Sequence, residues 1–190
     1  MHIVTYSSWY ENIVEAMSVT RGLAVLGVFF KLSDKSNEQL QPLIDSLQKV
    51  RVYNTKAPVH NFSLPRLIPQ SKMSKYFRYD GSLTTPPCYE SVIWTVLLEP
   101  LNISFAQLKE FRHLRGSSRG ESLVNTYRTI QPLGTRKLFR NYAPTASQSY
   151  KKGEQFLTVS NFALDRQQQQ CSYRTMFLFF GVSIVLRIRL

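Results

Sequence analysis

Tyr79-Asp80-Gly81-Ser82-Leu83-Thr84-Thr85-Pro86-Pro87-Cys88 runs directly into Tyr89-Glu90-Ser91-Val92-Ile93-Trp94. From Gly81 to Pro87 the stretch holds a glycine, three hydroxyl side chains and a proline pair, residues that interrupt regular structure and make a loop. Beyond it, Val92, Trp94 and Val96 alternate with Ile93, Thr95 and Leu97, the period-two pattern of a strand with two distinct faces. A loop feeding such a strand makes a sheet the organising element.

Outward from this stretch the same alphabet recurs. His2 to Tyr6 alternates as a strand, with His2 and Val4 on one face and Ile3 and Thr5 on the other. Leu23 to Leu32, LAVLGVFFKL, is almost continuously apolar and reads as one strand buried on both faces in the middle of a sheet. Leu40, Leu43, Ile44, Leu47 and Val50 recur at three- and four-residue spacing, which predicts a helix starting close to Pro42, where a proline is tolerated. Tyr53 to Gln70, with Pro58, Pro65 and Pro69, reads as brief strands in irregular connections. Ser104 and Gln107 form a capping box ahead of Phe105, Leu108 and Phe111 on a short amphipathic helix. The fold class is mixed α/β, rich in β-structure, with small helices at the margin.

A chain of 190 residues that is 43% apolar and 13% aromatic can bury a core and is not a disordered polar chain. Its net charge of +12 raises the question of a polyanion partner. The basic residues are scattered in small groups, such as Arg136, Lys137 and Arg140 or Lys151 and Lys152, without a nucleic-acid motif. They read as a solvated basic surface, with no nucleic acid as partner. A polyanion binder would instead show steeply salt-dependent retention on DNA or heparin. Cys88 and Cys171 are too few for a metal cluster and are not spaced as a zinc ribbon. Asn61-Phe62-Ser63 and Asn102-Ile103-Ser104 are glycosylation acceptors if the chain enters the secretory pathway. Met1 runs straight into the His2 strand, so for a secreted protein the beginning is expected to be missing.

Residues 143–175 are polar and rich in glutamine, and read as a linker or stalk. Residues 176–190 form a hydrophobic tail whose apolar run, Met176 to Leu186, is shorter than the ~20 residues a spanning helix needs. Arg187 and Arg189 could extend it by snorkelling at the boundary. The tail is expected to give membrane attachment, as a short membrane segment or a glycolipid-anchor signal.

The Tyr79 to Trp94 run does not stand alone. His2-Ile3-Val4, Gly22-Leu23-Ala24-Val25-Leu26-Gly27-Val28-Phe29 and Tyr127-Arg128-Thr129-Ile130-Gln131-Pro132-Leu133 accompany it. Together, over residues 1–142, they resemble the C-terminal part of an α-class carbonic anhydrase. The resemblance implies a largely antiparallel twisted sheet with short peripheral helices, and reversible hydration of carbon dioxide to bicarbonate with Zn2+ as cofactor. That zinc is held by three histidines and lowers the pKa of a bound water to about 7. By the resemblance His2 is the third zinc ligand and Thr84 the hydroxyl that orients the attacking hydroxide. Thr85 lies at the pocket edge. Val4, Val25, Leu83, Val92 and Trp94 form the apolar wall for carbon dioxide. Strand alternation independently pairs His2 with Val4 and Val92 with Trp94. Without the resemblance, His2 reads as a structural histidine, Trp94 and the valines as ordinary core, and Thr84 as a turn residue. His60 and His113 match no family role.

Several things the resemblance implies are not in this chain: two histidines upstream of His2, the acidic residue that orients Thr84, a proton-shuttle histidine and a carboxylate just before the His2 strand. Thr5 stands where many members carry histidine. Cys88 matches a cysteine that secreted and membrane-bound members pair with an N-terminal partner, so its partner is expected to be missing. The chain is therefore expected to be a fragment of a longer protein, inactive alone, with sheet edges uncovered. The parent is expected at the extracellular face of the plasma membrane or secreted. The alternative is a catalytically inactive relative serving as a binding module. Oligomeric state is left open.

Overall fold

The computed structural model describes residues 1–142 and the backbone of 184–185. The expected linker at 143–175 lies outside the described residues, as does the tail at 176–190 apart from that pair.

Five strands carry most of the architecture: β1 (His2–Tyr6), β2 (Leu23–Gly27), β3 (Phe30–Ser33), β4 (Tyr76–Gly81) and β5 (Val92–Leu97). β6 (Leu101–Ser104) and the two-residue strands β7 (Phe139–Arg140) and β8 (Ile184–Val185) complete the set. The main sheet runs β7-β4-β5-β2-β1-β8, and β3 and β6 form a separate two-stranded sheet. The sheet is mixed. β1–β2, β4–β5 and β4–β7 are antiparallel, whereas β2–β5 and β1–β8 are parallel.

The apolar run Leu23 to Leu32, expected as one doubly buried strand, is two strands in two sheets. The chain leaves the main sheet after Gly27, and Phe29 and Leu32 are exposed there despite their hydrophobicity. Periodicity cannot register that break, because an apolar run looks the same whether it stays in one sheet or changes sheets. Between Tyr53 and Gln70 no strand forms. That segment holds the turn-long helix α3 (Leu64–Leu67), with Pro65 in its first turn, and a 3-10 turn follows at Gln70–Met73. Proline at a helix start costs no hydrogen bond, so this outcome is compatible with the composition that suggested short strands.

The helices follow their local signals. α1 (Ile13–Ala16) is capped by Asn12, whose side chain accepts from the Val14 and Glu15 amides. α2 (Gln41–Leu47) starts at the proline and tightens into a 3-10 turn through Val50. α4 (Phe105–Arg112) begins with the full capping box of Ser104 and Gln107. Gln107 is buried and also ties α4 to the Asn37 loop and α2. Its side-chain oxygen accepts from the Asn37 amide, and its nitrogen donates to Asn37 O and Gln41 Oε1.

Strand alternation separates two apolar clusters on opposite faces. Ile3 and Leu97 join Met1, Leu43, Ile44, Ile103, Leu108 and Phe111 in the larger core under α2 and α4, with Leu26 packed against it. The other face gathers Leu23, Val25, Val92 and Trp94 under Ala16 of α1. The alternate residues of β1, β2 and β5 thus serve two different interiors.

Candidate functional site

Register places the second face in rows across four strands. Val4 of β1 pairs with Val25, Val25 with Trp94, and Trp94 with Tyr79. One row away Tyr6, Leu23, Val92 and Gly81 stand side by side, and on the other side His2, Gly27, Val96 and Phe77. Val4 and Leu83 both pack on the cluster of Val25, Val92 and Trp94. All five residues expected for the wall are therefore brought together on one face. Tyr6, Tyr10, Ile13, Met17 and Tyr79 pack there too, and sequence reasoning assigned none of them to it.

Trp94 is the centre of this surface. The six-membered side of its indole lies over Gly27, where a Cβ would meet Cζ3 at 3.7 Å. The other side lies over Gly81, where a Cβ would stand 2.8 Å from Cδ1 and 3.3 Å from Nε1. Two glycines, in the strands on either side of β5, thus leave the floor on which the ring lies, and at Gly81 only the absence of a side chain permits the approach. The indole N–H donates to Ser82 O at 3.1 Å. The indole and the His2 ring form a T-shaped contact, with centroids 4.8 Å apart and planes at 77°. Tyr79 stacks at 6.4 Å and 12°.

His2 is half-buried in this setting. Desolvation, followed by the charge of the Met1 ammonium group, lowers its pKa from 6.5 to about 4. At neutral pH the imidazole is therefore uncharged, the form that can ligate a metal. The Tyr79 phenol is shifted upward by burial, with the Arg136 charge acting the other way.

The loop after β4 carries the expected hydroxyls. Its neck closes where the Leu83 amide donates to Tyr89 O at 3.0 Å. Its tip closes where Cys88 N donates to Thr85 O at 2.9 Å, around a cis Pro86–Pro87 bond. Thr84 is half-buried directly after Leu83, and Thr85 is exposed at the tip. Cys88 is disulfide-bonded, which corrects the expectation that it lacks a partner. That expectation considered only an N-terminal partner. Asn61 and Asn102 are both exposed.

Two arginines reach the loop from a segment without regular structure. Arg128 Nη1 donates to Ser82 Oγ and to Leu83 O. Arg136 donates to Asp80 O at 3.2 Å and lies over the Tyr79 ring, 5.8 Å from its centroid. Arg128 is in one of the motifs that carry the family resemblance, but nothing in local spacing could reveal a contact across 46 positions of sequence. Arg136, expected as part of a solvated basic surface, is engaged by Leu133 O, Pro132 O and Asp80 O.

Zinc sites draw three or four ligands from the protein. Among the described residues no three His, Cys, Asp or Glu side chains come together to hold a metal. His60 is exposed, and His113 lies in the loop after α4 beside Glu110. The described residues thus do not by themselves fit a zinc ion. Also among the described residues, no helix is long and apolar enough to cross a membrane.

Fold and site together define a β-rich α/β domain with one neutral imidazole set against an aliphatic and aromatic wall on a sheet face. Comparison with known proteins makes the class specific: the family model of eukaryotic-type carbonic anhydrases matches residues 1–142, and the chain belongs to that family. Carbonic anhydrase 1 of Monodelphis domestica is 41% identical over 142 residues, covering 73% of this chain and 53% of that protein. Mitochondrial carbonic anhydrase 5A of Homo sapiens is 39% identical over 149 residues, 76% of this chain and 48% of that protein. Carbonic anhydrase 3 of Bos taurus is 36% identical over 139 residues, 72% of this chain and 52% of that protein. The chain spans about half the length of these curated relatives.

Proposed function

We propose that this chain carries the substrate-facing half of a zinc-dependent carbon dioxide hydratase, and that it is inactive without further metal ligands. The observation that carries the reading is the placement of a neutral His2 ring against Trp94, on the same face as Val4, Val25, Leu83 and Val92. Carbon dioxide is small and nonpolar. A weakly hydrated aliphatic wall can hold it without competing for the nucleophile.

When bound, zinc supplies a water of lowered pKa, and hence a nucleophile at neutral pH. In this reading His2 offers one uncharged nitrogen to the metal, and two further imidazoles come from sequence upstream of it. The Thr84 hydroxyl aligns the attacking oxygen, and the wall orients the substrate and keeps bulk water from it.

The coding sequence upstream of Met1 tests the assignment. A His-x-His strand there, and zinc-dependent hydration by the extended protein that falls roughly 100-fold in Thr84→Ala, support it. Other residues at both histidine positions would instead make the parent a carbonic anhydrase-related binding module.

A further inference from the structure

Two consecutive peptide planes lead into Thr84, and both are held. In the first, Ser82 O accepts from the Trp94 indole while the Leu83 amide donates to Tyr89 O. In the second, Leu83 O accepts from Arg128 at 3.2 Å. The Thr84 nitrogen belongs to that second plane, because the peptide unit is rigid. Fixing the Leu83 carbonyl therefore fixes the direction in which the Thr84 backbone sets out. The same guanidinium nitrogen also donates to Ser82 Oγ, so one group grips two successive residues.

We propose that Arg128 is the positioning residue for Thr84, holding the Leu83–Thr84 peptide plane so that the Thr84 backbone keeps a single course out of Leu83. It acts through the backbone and does not touch substrate. Arginine suits the task because its planar, permanently charged group offers several N–H donors in fixed directions. Arg136 braces the preceding strand end through Asp80 O and the Tyr79 ring. Both arginines come from the segment after residue 120, so the irregular late segment works as a strap across the loop. The catalytic meaning rests on the hydratase reading of Thr84; the mechanical claim does not.

Amide hydrogen exchange by NMR on the full 190-residue chain tests the mechanical claim without zinc or turnover. In Arg128→Met, exchange of the Leu83 amide and the Trp94 indole N–H should rise roughly tenfold or more, the scale of a lost charge-assisted hydrogen bond. The Val25 amide, in the centre of the sheet, should stay at its wild-type rate. Arg128→Lys, which keeps the charge and a donor, should restore much of the protection. If Arg128→Met does not fold, Ser82→Ala removes one of the two acceptors and should accelerate the same two protons selectively. Loop exchange within twofold of wild type, or equal acceleration at Val25, overturns the proposal. Because the readout does not depend on activity, an inactive parent protein would overturn the hydratase reading and leave this result standing.

Discussion

The His2 ring and the Trp94 indole meet in a T-shaped contact at 4.8 Å between centroids, two strands apart across a glycine. The indole can lean that far because Gly27 stands between them, and its N–H is held at the other end by Ser82 O. Trp94 therefore couples the imidazole to the Thr84 loop. Trp94→Ala should cost about 3–5 kcal/mol of stability, as expected for a large aromatic that is almost fully buried. Trp94→Phe keeps most of the packing but loses the hydrogen bond to Ser82 and should cost about 1–2 kcal/mol. Urea unfolding of the full chain would measure both.

The depressed His2 pKa makes the fold sensitive to acid. An unfolded chain protonates the imidazole near 6.5, while the folded one resists until about 4. Between these values the unfolded state binds more protons, so stability is complete above the upper value and falls as pH drops toward the lower. The loss should reach at most about 3 kcal/mol. Denaturation as a function of pH, with NMR titration of His2, checks this loss.

Gly81 and Gly27 offer a graded steric test. At Gly81 a methyl group would stand 2.8 Å from Trp94 Cδ1 and 3.1 Å from Tyr79 Cε2, so Gly81→Ala must displace one ring. It should cost about 1–3 kcal/mol and shift the tryptophan emission. At Gly27 the nearest atom is Val96 Cγ2 at 3.3 Å, and the indole is farther away. Gly27→Ala should be the milder change in both stability and fluorescence.

Gln107 is a test away from the candidate site. It is buried and satisfies the Asn37 amide and carbonyl, the Ser104 amide and Gln41. Gln107→Ala leaves several of these groups without partners and should cost about 2–4 kcal/mol, more than an ordinary cap deletion. The far-UV signal of α4 and the thermal midpoint should fall together.

Local signals and alternation were legible in the sequence. Pro42 marked the start of α2, Ser104 and Gln107 the start of α4, and the period-two pattern put His2 with Val4 and Val92 with Trp94. The full set of five wall residues came from the family resemblance, because alternation pairs residues only within one strand and Leu83 lies in the loop after β4. The break after Gly27 was hidden by the continuous apolar run. Tyr53 to Gln70 misled because prolines suit a short helix start as well as a strand edge. Arg128 and Arg136 were invisible as loop contacts, since their partners lie in a distant stretch of chain and neither sits in a periodic element.

In the proposed reading this chain supplies one metal ligand and the substrate wall but not metal capture. Stopped-flow carbon dioxide hydration with added zinc tests it most directly, on the 190-residue chain and on the chain extended by its upstream coding sequence. The chain alone should match a heat-treated control, while the extended protein should turn over and lose that activity in His2→Ala. Zinc-dependent turnover by the chain alone, or an inactive zinc-loaded extended protein, would contradict it.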